Sequence, residues 1–226
     1  MKPMTDQHLA ILRRHMTEVV DLHFDLTSDE IGKDRPDERL RSAMLKVPRH
    51  LFVPGQLAAL AYQDTPRPIG FDKTVSQPFI GALMLDLLGP PQPGERVLEV
   101  GTGLGYQAAL LAELGARVWS VEIVEEFASE AGLRLLTLGY GNITIRVGDG
   151  SRGWAEHAPF DRILVTAAAR EPPDPLLDQL ARGGRLVIPV GSGDVQQLSV
   201  IDKGGEGEIE TREVIPVRFT RLESMA

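Results

Sequence analysis

Ten residues, Arg96 to Gly105 (RVLEVGTGLG), constrain this chain more than any others. Arg96 to Val100 is a short apolar run with one acid in it, the pattern of a strand buried on both faces of a parallel sheet. Gly101, Gly103 and Gly105 follow at once, and Tyr106 to Leu114 reads as a helix. A strand, a glycine turn and a helix in that order make a nucleotide-binding loop in an α/β sheet. Glycine lets the backbone turn tightly and lets a ligand approach without a Cβ in the way. The helix start adds unpaired N–H groups. Taken alone, the run is also explained as a turn that only packs helix on strand.

The spacing is G-x-G-x-G, with Glu99 two residues before the first glycine. The dinucleotide fingerprint is G-x-G-x-x-G, which cradles a pyrophosphate at the helix N-terminus. An acid inside the strand is awkward beside a pyrophosphate and suits a ligand carrying an ammonium group. S-adenosylmethionine has an ammonium and a sulfonium and no phosphate. An NAD-dependent oxidoreductase is the weaker alternative, separable by cofactor titration.

Composition removes several other classes. At 226 residues, 42% hydrophobic and 25% charged, the chain suits one large α/β domain with additions. A net charge of −8 argues against a broad nucleic-acid footprint. The absence of cysteine excludes disulfides, thiolate nucleophiles and cysteine-based metal sites. The opening MKPMTDQHLAILRRHM lacks the apolar core of a signal peptide, and no run approaches a membrane span, so a soluble cytoplasmic protein is expected. His8, His15 and His23 have no partner at ligand spacing, and no metal is expected.

Along the chain, Leu9, Leu12, Met16, Val19 and Val20 recur at helical spacing behind Thr5 or Asp6 as a cap. Residues 25–36 are polar and read as a loop. Leu40, Ala43, Met44 and Val47 mark a second helix, ended by Pro48. VPRHLFVP, residues 47–54, reads as a rigid connector whose Leu51 and Phe52 fill core space; nothing in the spacing requires His50 to touch a substrate. A short helix is expected over 57–62 and a loop over 64–72. In KTVSQP, residues 73–78, Ser76 sits where an N-cap belongs, ahead of a buried helix marked by Ile80, Leu83, Met84, Leu87 and Leu88. Capping alone explains Ser76, and it is compatible with a substrate carboxylate at the same helix end.

Beyond the glycine loop, a second strand over 117–121 ends in Glu122. That acid is placed to accept hydrogen bonds from ribose hydroxyls, or it simply starts the next helix, 125–138. A third strand, 143–147, ends in Gly148-Asp149-Gly150, where the acid reaches an adenine amino group or makes a plain turn. A fourth, 160–165, runs into Thr166-Ala167-Ala168-Ala169. Amino methyltransferases usually carry an Asn-Pro-Pro-Tyr-like run there. A small, nearly neutral rim suits an acceptor that arrives already nucleophilic. A helix over 176–181, a strand over 185–190 and an antiparallel pair, 197–201 with 213–219, complete the order. In a doubly wound sheet, Glu99, Glu122, Asp149 and Thr166 then share the C-terminal edge where ligands bind.

VPRHLFVP, IGFDKTVSQP, VLEVGTGLGYQAALLAEL, GYGNITIRVGDG, FDRILVTAAA, LARGGRLVIPVG and PVRF together resemble the protein-L-isoaspartate O-methyltransferase family, from about Val47 to Phe219. The glycine loop is shared by many methyltransferases; the SQP segment, the small-residue run and PVRF are more specific. The first 46 residues match weakly, and the ending FTRLESMA departs from a more apolar one. The resemblance implies an α/β, Rossmann-like class I methyltransferase: a doubly wound, mostly parallel sheet with an N-terminal helical extension and a C-terminal antiparallel hairpin. Residues 1–88 would be the helical lead-in and substrate-facing segment, and 89–226 the S-adenosylmethionine-binding sheet of one compact fold. It implies methyl transfer to isoaspartyl carboxylates in peptides and unfolded protein segments, by a monomer with S-adenosylmethionine, leaving S-adenosylhomocysteine. Ser76 maps onto the active-site serine. Thr74, Val75, Gln77, Glu99, Gly101, Thr102, Gly103, Gly105, Glu122, Ile123, Asp149, Gly150 and Thr166 map onto cofactor contacts. A methyltransferase for one dedicated peptide or small acid, and a non-catalytic protein that binds the same cofactor, are the other readings.

Overall fold

Helical and strand periodicities alternate along the chain, and the computed structural model, which describes residues 5–225, sorts them into a seven-stranded sheet packed on two faces. The N-terminal part holds α1 (Asp6–Leu26), α2 (Ser28–Ile31), α3 (Glu38–Lys46), a hairpin of β1 (Arg67–Gly70) and β2 (Lys73–Val75), and α4 (Pro78–Leu88). The sheet follows as β3 (Arg96–Val100), α5 (Tyr106–Glu113), β4 (Arg117–Glu122), α6 (Glu125–Thr137), β5 (Ile143–Val147) and β6 (Phe160–Val165). It ends with α7 (Asp174–Gln179), β7 (Leu180–Val190), β8 (Gln196–Lys203) and β9 (Ile209–Val217).

The strand order is β5-β4-β3-β6-β7-β8-β9. The first five of these run parallel, and β8 and β9 are added antiparallel at one edge. The chain moves outward from β3 to β5 and then returns to β6 on the other side of β3. The crevice between β3 and β6 is therefore the switch point where an open α/β sheet takes its ligand. Alternation along each strand feeds two cores. Val97, Val118, Leu164 and Val187 face a cluster with α1, α3, α4 and α5. Leu98, Trp119, Ile163 and Leu186 face a second one with Leu176 and Trp154. The larger cluster draws Met16, Val20 and Phe24 of α1 into the same core as the sheet.

Several expectations are corrected. The stretch 25–36 contains the end of α1 and all of α2, which Gly32 closes in the left-handed region at φ 81°. The stretch 64–72 contains β1, turned into β2 through Phe71 and Asp72 at φ 49° and 54°. Two positive φ values in succession suit a tight hairpin; Gly70 at φ 106° leads into them, but two non-glycine residues at the centre hide the turn as a hairpin. Leu180 and Ala181 begin β7 rather than ending a helix, because Leu180 pairs with Phe160. In the 47–54 connector Phe52 is buried as expected, yet Leu51 is 41% exposed, and Arg49 lies inside instead.

Candidate active site

The crevice is built from loop ends. A cavity opens between Val100, Gly101 and Gly103 at the end of β3, Glu122 and Ile123 at the end of β4, Gly150 beyond β5, and Thr166 and Ala167 after β6. Lys73 and Thr74 border it from β2, Phe127 from α6, and Thr220 to Glu223 from the C-terminal tail. A side pocket reaches Thr74, Val75, Ser76, Thr102, Tyr106 and Gln107. An open cleft holds Ser76, Gln77, Ile80, Arg218 and Phe219. Thr74 and Thr166 line all three, which makes them one continuous site.

Bare backbone is what the loop requires. Gly101 sits at φ 94°, and a Cβ there would lie 2.4 Å from Thr166 Oγ1. That hydroxyl donates to Gly101 O at 2.8 Å and Val100 O at 3.1 Å, so Thr166 clamps the loop to β6. A Cβ on Gly150 would meet Val100 Cγ1 at 2.3 Å. Gly105 has a different duty: it opens α5 at φ 93° and lets Leu135 of α6 pack against it, and it does not line the cavity.

The acids divide by burial. Glu99 is 0% exposed and lies beneath the loop rather than on the cavity wall. Its Oε2 accepts the Ser120 hydroxyl, which also contacts Thr102 Oγ1 at 2.6 Å, while Oε1 has no partner. Burial pushes its pKa up to about 8, against the pull of Ser120 and the Ala108 N–H, with Glu122 adding to the rise. Glu122 does face the cavity. Its Oε2 accepts the Gly103 N–H at 2.7 Å, and Oε1 accepts Ile123 and Val124 N–H at 2.9 and 3.0 Å. It therefore both starts the turn into α6 and lines the cavity. Asp149 is held by the Ser151 N–H at 2.9 Å and hydroxyl at 2.6 Å. Burial raises its pKa, but those bonds, the Met225 N–H and Arg152 outweigh burial and leave it lowered.

Ser76 is released from capping. The cap position of α4 is Gln77, and no local side chain caps that helix. Asp64 does it from 15 residues upstream: Oδ1 accepts the Phe79 N–H at 2.8 Å and Oδ2 the Gln77 amide at 2.7 Å. His23 Nδ1 lies 2.8 Å from the same Oδ2. The Ser76 carbonyl is gripped from behind by Arg49, at 2.6 Å. Sequence spacing misses Asp64, Arg49, Lys73 and the 220–223 tail. Arg49 falls in the proline-bracketed segment 48–54 and Lys73 opens KTVSQP, but neither spacing assigns them a role. Among the described residues no group of three or more His, Asp or Glu is arranged to hold a metal. No described helix is long and apolar enough to cross a membrane.

Residues 26–226 match the family model described as protein-L-isoaspartate(D-aspartate) O-methyltransferase. A Polaromonas protein-L-isoaspartate O-methyltransferase is 49% identical over 220 residues, covering 97% of this chain and 93% of that protein. One from Syntrophobacter fumaroxidans is 49% identical over 218 residues, covering 96% and 88%. Among solved structures, a protein-L-isoaspartate O-methyltransferase superposes with a TM-score of 0.80 at 26% identity, covering 94% of this chain and 66% of that longer one. A Plasmodium falciparum relative solved with S-adenosyl-L-homocysteine gives 0.77 at 25% identity, covering 96% and 98%. A glycine loop over a buried acid, acids at the next two strand ends and a serine free of its helix thus coincide with extended sequence identity, and the chain belongs to the protein-L-isoaspartate(D-aspartate) O-methyltransferase family.

Proposed function

We propose that this protein transfers the methyl group of S-adenosylmethionine to the free α-carboxylate of isoaspartyl residues, the first step in repairing damaged proteins. One observation supports the assignment of roles: Ser76 is relieved of helix capping and lines both the side pocket off the cofactor cavity and the open cleft. The cofactor fits the residues present, because Gly101, Gly103 and Gly150 leave bare backbone where a Cβ would collide or fill space. The Gly101–Gly103 loop would hold its amino-acid end, Glu122 its ribose hydroxyls and Asp149 with Gly150 its adenine. When bound, it supplies a methyl carbon on a positively charged sulfur.

The acceptor carboxylate has a reference pKa of about 3.5 and is ionised at neutral pH, so no general base is required. A carboxylate oxygen forms the bond to the methyl carbon as the carbon–sulfur bond breaks, its electron pair staying on sulfur. The two charges cancel and no proton moves. Catalysis is then positioning and partial desolvation. Ser76 holds one carboxylate oxygen and leaves the other in line with the methyl. Of the small-residue run, Thr166 and Ala167 border the cavity, while Ala168 and Ala169 are buried against the C-terminal tail and β7. We infer likewise that the protein works on flexible segments, as a cytoplasmic monomer.

The test is Ser76→Ala with a short isoaspartyl peptide. Loss of an orienting hydroxyl should lower kcat/KM by roughly 10- to 1000-fold while S-adenosylhomocysteine binding is unchanged. An unaltered rate would remove Ser76 from the mechanism. Complete loss with intact cofactor binding would give it a larger chemical role.

A further inference from the structure

Arg49 is a buried cation with no carboxylate in direct contact among the described residues. It is 1% exposed. Its Nε donates to Ala61 O at 2.8 Å and its Nη2 to Ser76 O at 2.6 Å, and its guanidinium carbon lies 4.6 Å from the Tyr106 ring centroid. Among the described residues it forms no ion pair with a carboxylate; the carboxylate whose field reaches it is that of Asp64, already held by the Phe79 N–H and the Gln77 amide, whereas the buried Asp86 is paired directly with Lys33. Guanidinium stays charged inside proteins, and burying an unpaired charge is expensive. Neutral donors would tie two carbonyls together at less cost. The wall in front of it also has unmet polar capacity: Gln107 Oε1 is buried without a partner, the buried Tyr106 hydroxyl has only Arg49 beside it, and both residues line the pocket that contains Ser76.

We infer that Arg49 is a positioning residue for Ser76 and supplies the fixed positive charge that the acceptor carboxylate completes. This rests on the reading that Ser76 holds that carboxylate. The fork of the guanidinium fixes the Ser76 backbone and the Ala61 turn together. Its charge lies one peptide group behind the side chain that meets the substrate, in surroundings where water screens little. An anion entering the pocket gives the buried cation the partner the fold withholds. The carboxylate is fully charged in the bound substrate and loses charge as the methyl moves. The charge of Arg49 therefore acts mainly on substrate binding, and its geometry acts on turnover.

Arg49→Lys and Arg49→Gln separate these two contributions. Both variants should bind S-adenosylhomocysteine like the wild type. The glutamine variant should raise KM for an isoaspartyl peptide about tenfold or more. The lysine variant should recover KM to within about threefold while kcat stays reduced, because charge returns without the fork. Equal KM defects in both, or none in either, would overturn the inference. A second readout needs no substitution. In the wild-type complex with S-adenosylhomocysteine, the ¹³C-labelled α-carboxyl of a bound isoaspartyl peptide should titrate at least about one unit below its free value. An unshifted or raised value would overturn the inference as well. Failure of the wild type to methylate any isoaspartyl peptide would instead strike the functional reading on which this one rests.

Discussion

Ser76 and Glu99 show how differently a single residue reads in sequence and in space. Ser76 stands where an N-cap belongs, and local spacing gives no reason to look further. The cap comes instead from Asp64, whose carboxylate arrives by way of the β1–β2 hairpin and binds the Phe79 N–H at 2.8 Å. No window of sequence contains that contact. Glu99 was legible as an unusual acid, but its depth was not. With a pKa near 8, the native protein keeps a proton that the unfolded chain releases from about pH 4.5 upward. The native state binds more protons across that window, so Glu99 makes stability fall as pH rises from about 4.5 to 8. Glu99→Gln should flatten that part of the stability–pH curve and leave the variant more stable than the wild type at pH 8, as followed by denaturant unfolding. A cation bound over the loop favours the ionised form. Affinity for S-adenosylmethionine should therefore rise with pH toward 8 in the wild type, and titration calorimetry should find that slope absent in the variant. Parallel pH profiles for the two proteins would contradict this account of Glu99.

At the scale of elements, the sheet was readable and its connections were only partly so. Strands β3 to β6 are short runs rich in Val, Ile and Leu; β3 to β5 lead into glycine or end in acid and β6 leads into Thr166, so their order is plain in the sequence. The β1–β2 hairpin was not legible, because its turn uses Phe71 and Asp72 at positive φ. Phe71 compensates by meeting the Phe127 ring edge-on at 5.3 Å, a contact between hairpin and α6 that only tertiary structure supplies. Two elements carry direct tests. Gly101→Ala combines a left-handed residue with a 2.4 Å approach to Thr166 Oγ1. It should weaken S-adenosylhomocysteine binding at least about tenfold in calorimetry, since backbone strain alone costs about 1–3 kcal/mol. Asp64→Ala leaves the Phe79 N–H and Gln77 amide without their acceptor. It should cost about 1–3 kcal/mol of stability, seen as a lower thermal midpoint. It should also reduce kcat, because the segment that presents Ser76 loosens with it. A midpoint equal to wild type would show that α4 does not depend on this cap.

For the whole molecule, the N-terminal helices are structural parts of the enzyme. Met16, Val20 and Phe24 share a cluster with Val97, Leu164 and Val187 of the sheet, so the lead-in and the sheet should unfold together. Calorimetry should give one cooperative transition, and two separable ones would contradict the shared core. The outer strand β9 carries Glu210, Arg212 and Glu213 along an exposed edge, charges that oppose edge-to-edge pairing. On the proposed mechanism the chemistry of the whole is positioning, with Ser76 lining both the open cleft and the side pocket off the cofactor cavity. The most direct measurement is transfer of labelled methyl to two short peptides identical except for isoaspartate against aspartate. The account predicts base-labile label on the isoaspartyl peptide alone. Equal labelling of both, or of neither while S-adenosylmethionine still binds, would contradict it.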